Sequence, residues 1–244
     1  MRSLVATNDR RAFVEQVMGI PVSIHVRGAV GDDRVETAVA QVFGVLRRVD
    51  AVFSTWREDS DLMRVRRGEL RDSEAHPWLA EVAALCDEAE RRTHGLFSSL
   101  ATGTEPDPTG LVKGWAVEQA ARHLQHAPGI SFCVNAGGDL LAGAGAGAAP
   151  SVWRVGVEDP RDRLRVEATV ELSRGGLATS GNAARGAHIA DPRSGRRVQR
   201  DGSATVWGPS LLWADVWATA LFVDPSRGRA VLEGADPAYR CLVL

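Results

Sequence analysis

Two polar side chains stand alone in an apolar run near the C-terminus: Asp215 and Thr219 in LLWADVWATALF, residues 211–222. At helical spacing they lie one turn apart on one face, with Cβ atoms about 5–6 Å from each other. A helix apolar on every side is a buried helix, and a buried carboxylate is costly unless it is paired or binds a cation. One carboxylate and one hydroxyl, completed by backbone carbonyls and phosphate oxygens, suit a hard ion such as Mg²⁺. The plainer alternative is an aspartate capping its own helix.

Three glycine-bearing segments carry the other candidates. In DPTGLVKGW, from Asp107, the turn residues Pro106, Pro108 and Gly110 lead into a helix whose first turn holds Lys113. Free amides at a helix N-terminus attract phosphate and a lysine adds a point charge, although a solvated lysine at a helix start reads equally well. Lys113 is also the sole lysine among 29 basic residues. In NAGGD, residues 135–139, Gly137 and Gly138 before Asp139 allow backbone to approach a ligand closely, or simply close a strand. The third segment runs through Ser180 in TSGN and Arg185 to HIADPRSG, where His188 has Asp191 and Arg193 within five residues. That density of donors fits a phosphate or nucleotide pocket, although a lone histidine is more often structural.

The elements that must position these groups follow from periodicity. Apolar residues at three- and four-residue steps predict helices over 34–53, 77–92 and 113–124, and a buried helix over 211–223 followed by a short one near 227–232. A strand or bent hairpin is predicted over 14–26, and strands over 132–134, 153–157, 166–172, 204–207 and 240–244. The low-complexity run AGAGAGAA, 142–149, reads as a flexible loop, and Arg64, Arg66 and Arg67 as a surface patch. Helices gather in the first half and strands in the second without βαβ repeats, which favours an α+β fold. It is expected to be a single domain over 1–244, with a helix-rich and a strand-rich subdomain as the variant.

Composition removes several function classes. A formal net charge of −2 argues against nucleic-acid binding, which needs a strongly basic face. No run reaches the about 18 apolar residues of a membrane helix, and the first residues lack a signal-peptide core. The three cysteines, Cys86, Cys133 and Cys241, form no CxxC pair. A reducing, cytoplasmic setting is the expectation.

Taken together, the segments resemble the ApbE-like FAD:protein FMN transferases. Met18-Gly19, FSTWREDS from Phe53, DPTGLVKGWAVE from Asp107, VNAGGDL from Val134, WRVGVEDP from Trp153, TSGN with HIADPRSG, and ATVWGPSLLWADVWATAL from Ala204 follow in that family's order. There are two departures. Ser98 in GLFSS stands where the family carries an acid, and Trp56 replaces the commoner tyrosine, keeping a stacking ring.

The resemblance implies an α+β fold of mixed or antiparallel sheets flanked by helices, with FAD in a central cleft. It implies Mg²⁺-dependent transfer of FMN from FAD to a threonine hydroxyl of a partner flavoprotein, with release of AMP. Asp215 and Thr219 become Mg²⁺ ligands with the backbone carbonyl at Gly110. Met18, Trp56, Asp107 and Lys113 match flavin-contacting positions, with Ser98, Gly137, Gly138, Asp139, Ser180 and Ile189 as further cofactor-binding candidates. His188 matches the catalytic histidine, as base or orienting group, with Asp191 as the group to hold it. An FAD pyrophosphatase yielding free FMN and AMP, and a non-catalytic flavin binder, are the rival expectations.

Overall fold

Turn chemistry starts the sheet. The computed structural model describes residues 10–28, 31, 33–103, 105–183 and 186–244, so Arg185 lies outside the described residues. Strands β1 (Arg10–Val17) and β2 (Ile20–Gly28) form a hairpin. It closes on Met18 and Gly19, both at positive φ (56° and 71°), which gives a two-residue turn the twist that strands need. Four helices follow: α1 (Asp33–Phe53), α2 (Asp61–Arg66), α3 (Trp78–Arg92) and α4 (Thr109–His126). Strands β3 (Ile130–Ala136) and β4 (Asp139–Ala144) then turn on Gly137 and Gly138 at φ 62° and 104°. The β5 (Trp153–Asp159) and β6 (Asp162–Leu172) hairpin precedes β7 (Gly175–Gly181). A small ribbon, β8 (Ala190–Asp191) with β9 (Arg196–Arg197), leads to β10 (Ser203–Gly208). Helices α5 (Leu211–Val223) and α6 (Pro225–Ala235) and strand β11 (Arg240–Val243) complete the chain.

The main sheet has seven strands in the order β1-β2-β3-β4-β7-β10-β11. Every neighbouring pair in it is antiparallel, so of the two expected sheet types it is the antiparallel one. The α+β expectation holds. The two halves of the chain share this sheet, because β2 pairs with β3 across the whole helical insertion. One face packs against the helices, burying Trp115, Trp217, Phe132 and Phe222 completely. The β5–β6 hairpin covers part of the other face through Val155, Val157, Val170 and Leu172.

Three local expectations are corrected. Helix α4 begins at Thr109, not 113, because Gly110 enters the helix and the Asp107 carboxylate accepts the Thr109 N–H at 3.0 Å; Lys113 therefore sits in the second turn. The Ala/Gly run is not a flexible loop at its start. Residues through Ala144 belong to β4, and a Cβ at Gly143 would come within 2.6 Å of the Phe132 ring, so the small residues permit close packing. Arg66 is not a bare surface charge: it is mostly buried and donates to the Pro106 carbonyl, bracing the segment ahead of α4. Helix α2 and strand β7 escape periodicity, the first because it has six residues and the second because Gly, Thr and Ser mask its alternation.

Candidate active site

Helices α4 and α5 cross in close contact at Gly114, where a Cβ would lie 2.9 Å from Leu212 Cα and 3.0 Å from the Leu211 carbonyl. One turn later on α4, Glu118 Oε1 accepts the Leu211 N–H at 2.5 Å, supplementing Ser210, whose hydroxyl caps Trp213 N–H at 3.3 Å. Both acceptors satisfy amides that a helix start leaves without partners. The helices run antiparallel, so these contacts bring Lys113 onto Asp215, one turn inside α5. Gly114→Val is expected to force the helices apart and cost roughly 1–3 kcal/mol, as overpacking does, measurable as a lowered urea midpoint.

Around Lys113 the chain gathers two buried carboxylates. Its ammonium pairs with Asp139 Oδ2 and lies 3.7 Å from Asp215 Oδ2, the two acids being 2% and 5% exposed in their side chains. Asp139 Oδ1 also accepts the Thr179 N–H at 3.1 Å, and Ser180 Oγ lies 3.1 Å from Thr219 Oγ1. Register explains this convergence. Asp139 starts β4 on the same face as Leu141, and Ser180 lies on the same face of β7 as Ala178, the face that packs on α5. Asp215 is one turn inside α5, whose cap is Ser210, so it is not capping its helix.

The donor set decides what this cluster suits. Two carboxylates against one ammonium leave a buried net charge of −1, and all the acceptors are hard oxygens. Among the described residues no group of three His, Cys, Asp or Glu side chains forms a metal site. A cation here would rest on carboxylate and hydroxyl with backbone or substrate oxygens, a fit for Mg²⁺ and not for zinc. Gly110 lies in the first turn of α4, one turn ahead of Gly114.

The remaining candidates divide into a rim and a periphery. The Met18-Gly19 and Gly137-Gly138 turns lie side by side, since the Gly137 N–H donates to the Pro21 carbonyl at 3.2 Å. A methionine at positive φ is a strained choice costing about 1–2 kcal/mol, the kind of outlier found where a ligand is met. Trp56, just beyond α1, is 95% exposed, so its indole face is free to stack. Ser98 donates to Glu90 Oε2 at 2.7 Å, which places a carboxylate from α3 beside the position that lacks an acid. Ile189 is buried in the core, where it helps seat the histidine segment.

His188 is exposed, and its Nδ1 lies 2.9 Å from the Gly186 carbonyl. The carbonyl can only accept, so Nδ1 carries a proton, and the neutral ring in this tautomer would present its lone pair at Nε2. The expectation that Asp191 holds His188 is corrected. Asp191 is engaged by the Arg193 guanidinium at 2.9 Å, and Arg193 reaches on to Asp224. The hydrogen bond from Arg193 holds the Asp191 carboxyl below its usual range. Burial pushes the Cys86 and Cys133 thiols up to about 12, which removes them as nucleophiles.

The family model of the ApbE family matches residues 18–104 and 99–243. This chain belongs to the ApbE family. A Klebsiella pneumoniae protein named FAD:protein FMN transferase is 26% identical over 88% of this chain and 79% of its own length. A Vibrio cholerae protein of the same name is 34% identical over 52% of the chain and 41% of its own length. The ApbE protein from Thermotoga maritima superposes with a TM-score of 0.78, at 20% identity, over 96% of this chain and 94% of that one. The apo flavinyl transferase ApbE from Pseudomonas stutzeri gives 0.76, at 22% identity, over 97% and 92%. For this ApbE member, reading the sequence missed Gly114, Glu118 and Glu90. The KG pair and the glutamate four residues on were visible, but only the helix crossing shows what they touch.

Proposed function

We propose that this protein transfers the FMN half of FAD to a threonine hydroxyl of an acceptor flavoprotein and releases AMP. The observation that carries the reading is the pairing of part-exposed Lys113 with the buried Asp139 and Asp215 beside Thr219, a hard-oxygen pocket fit for a cation that meets a pyrophosphate. The relatives' names, FAD:protein FMN transferase, supply the substrate and the type of reaction. Asp215, Thr219 and Asp139 would hold Mg²⁺, with the Gly110 carbonyl as a further donor. When bound, the ion would neutralise pyrophosphate charge and favour departure of AMP.

The chain's own groups do the rest. The paired glycine turn and Met18 line the flavin cleft, and Trp56 stacks on the flavin ring. Asp107 shapes the start of α4, and Lys113 keeps positive charge at the pocket. His188 Nε2 takes the proton as the threonine oxygen bonds to the FMN phosphorus and the bond to AMP breaks. Three free cysteines fit a reducing compartment, and we place the protein in the cytoplasm. Among the described residues no helix is long and apolar enough to cross a membrane.

The test incubates the protein with FAD, Mg²⁺ and a threonine-bearing flavoprotein, then measures AMP and covalent flavin fluorescence in a gel. AMP with a fluorescent band supports transfer. AMP with free FMN identifies a pyrophosphatase, and neither product identifies a binder. His188→Ala is expected to slow turnover by about 10²–10⁴-fold with FAD affinity unchanged; full turnover in that variant removes the base from the scheme.

A further inference from the structure

A second pocket lies on the other face of the sheet. In β1 and β2, Arg10 faces Arg27 and Ala12 faces His25 across the ladder, on the side away from the core residues Ile24 and Val26. Trp153, at the start of β5, closes the far wall of a cavity of about 250 Å³. That volume is roughly eight waters' worth at about 30 Å³ each. None of the described residues lining it is acidic. Arg11, at its edge, is engaged by Glu36 at 2.8 Å.

Arg27 is held in place and left electrostatically unsatisfied. Its guanidinium lies 3.9 Å over the Trp153 ring and donates to the Val152 carbonyl at 3.0 Å. Its Nε is buried with no hydrogen-bond partner. Burial and the charge of Arg10 both push the Arg27 guanidinium below its usual range. Like charges directly opposite on a sheet repel, so the pairing costs stability unless something negative sits between them.

We propose that this pocket binds a small phosphate-class oxyanion, gripped by Arg10, His25 and Arg27 against Trp153. An anion turns the repulsion of the two guanidinium groups into a bridge, and fork-shaped guanidinium donors match phosphoryl oxygens. The cavity exceeds a bare phosphate ion, so free phosphate and a phosphate monoester share the chemistry. The site is separate from the flavin cleft and does not rest on the transferase reading.

The experiment titrates inorganic phosphate, and separately AMP, at constant ionic strength while NMR follows the His25 ring, assigned with H25Q. A saturable shift is expected, weakened about tenfold or more in R27Q and R10Q, as loss of a charged hydrogen bond requires. Saturation by phosphate alone identifies free phosphate as the source, and tighter saturation by AMP identifies a monoester; both support the site. Thermal melts check folding. If R27Q is unfolded, R10Q, at an exposed edge position, carries the test. A shift reproduced by chloride, wild-type binding in both variants, or saturation by an acidic peptide but not by phosphate overturns the proposal.

Discussion

Asp215→Asn is expected to lower Mg²⁺-dependent FMN transfer by at least about a hundredfold while leaving the unliganded fold intact. Asparagine fills the same volume, so the packing of α5 around a 4% exposed residue is undisturbed. What is lost is one of two anionic oxygen donors. The charge stabilisation a metal gives a departing phosphoryl oxygen is worth several kcal/mol, with each ~1.4 kcal/mol a factor of ten in rate. The unliganded variant is expected to melt no lower than the wild type, because the cluster's net charge moves from −1 to zero. Transfer assays across Mg²⁺ concentrations, with a thermal melt in EDTA, check both halves. Undiminished transfer would remove Asp215 from the metal site; a large drop in the melt would make it structural.

The second large effect is expected at Lys113. Replacing it by methionine keeps much of the apolar stem and deletes the ammonium that pairs with Asp139 and faces Asp215. Two carboxylates then confront each other in a buried site. Breaking a buried pair in this way costs 3–5 kcal/mol when burial is complete. Lys113 is 20% exposed, so roughly 3 kcal/mol is the better figure. Mg²⁺ is expected to restore stability to Lys113→Met more than it raises that of the wild type, since ligand binding to the folded state alone is stabilising and the ammonium no longer competes for the same oxygens. Melting temperatures with and without Mg²⁺ read this directly. Equal metal responses in the two proteins would show that lysine and cation do not share the site.

Much of the fold was legible because its signals are local. Residues 211–223 form the buried helix that their uniform apolarity predicts, and the helices over 34–53 and 77–92 follow their three- and four-residue steps to within a residue. The flexible reading of AGAGAGAA failed at its start for a non-local reason: Gly143 is small because the Phe132 ring from the neighbouring strand lies over it. The candidate site divides in the same way. Asp215 and Thr219 were visible as the polar pair on an apolar helix. The assignment of Asp191 to His188 followed from nearness in sequence, yet a turn of the chain gives Asp191 to Arg193 at 2.9 Å.

Lys113 shows where sequence ends and tertiary structure begins. Its type, its rarity and its place near a helix start belong to the sequence, as do the apolar stripes and the paired glycines that require positive φ. These depend on residues within a few positions of one another, where periodicity and backbone sterics act. The convergence of Lys113, Asp139 and Asp215 belongs to the tertiary structure alone. It needs α4 and α5 to cross at Gly114 without a side chain between them, and β4 to present Asp139 on the helical face. No periodicity encodes a contact between residues about a hundred positions apart. Excluding water from those three charges is costly, and only the mutual pairing that the sheet and both helices impose offsets that cost.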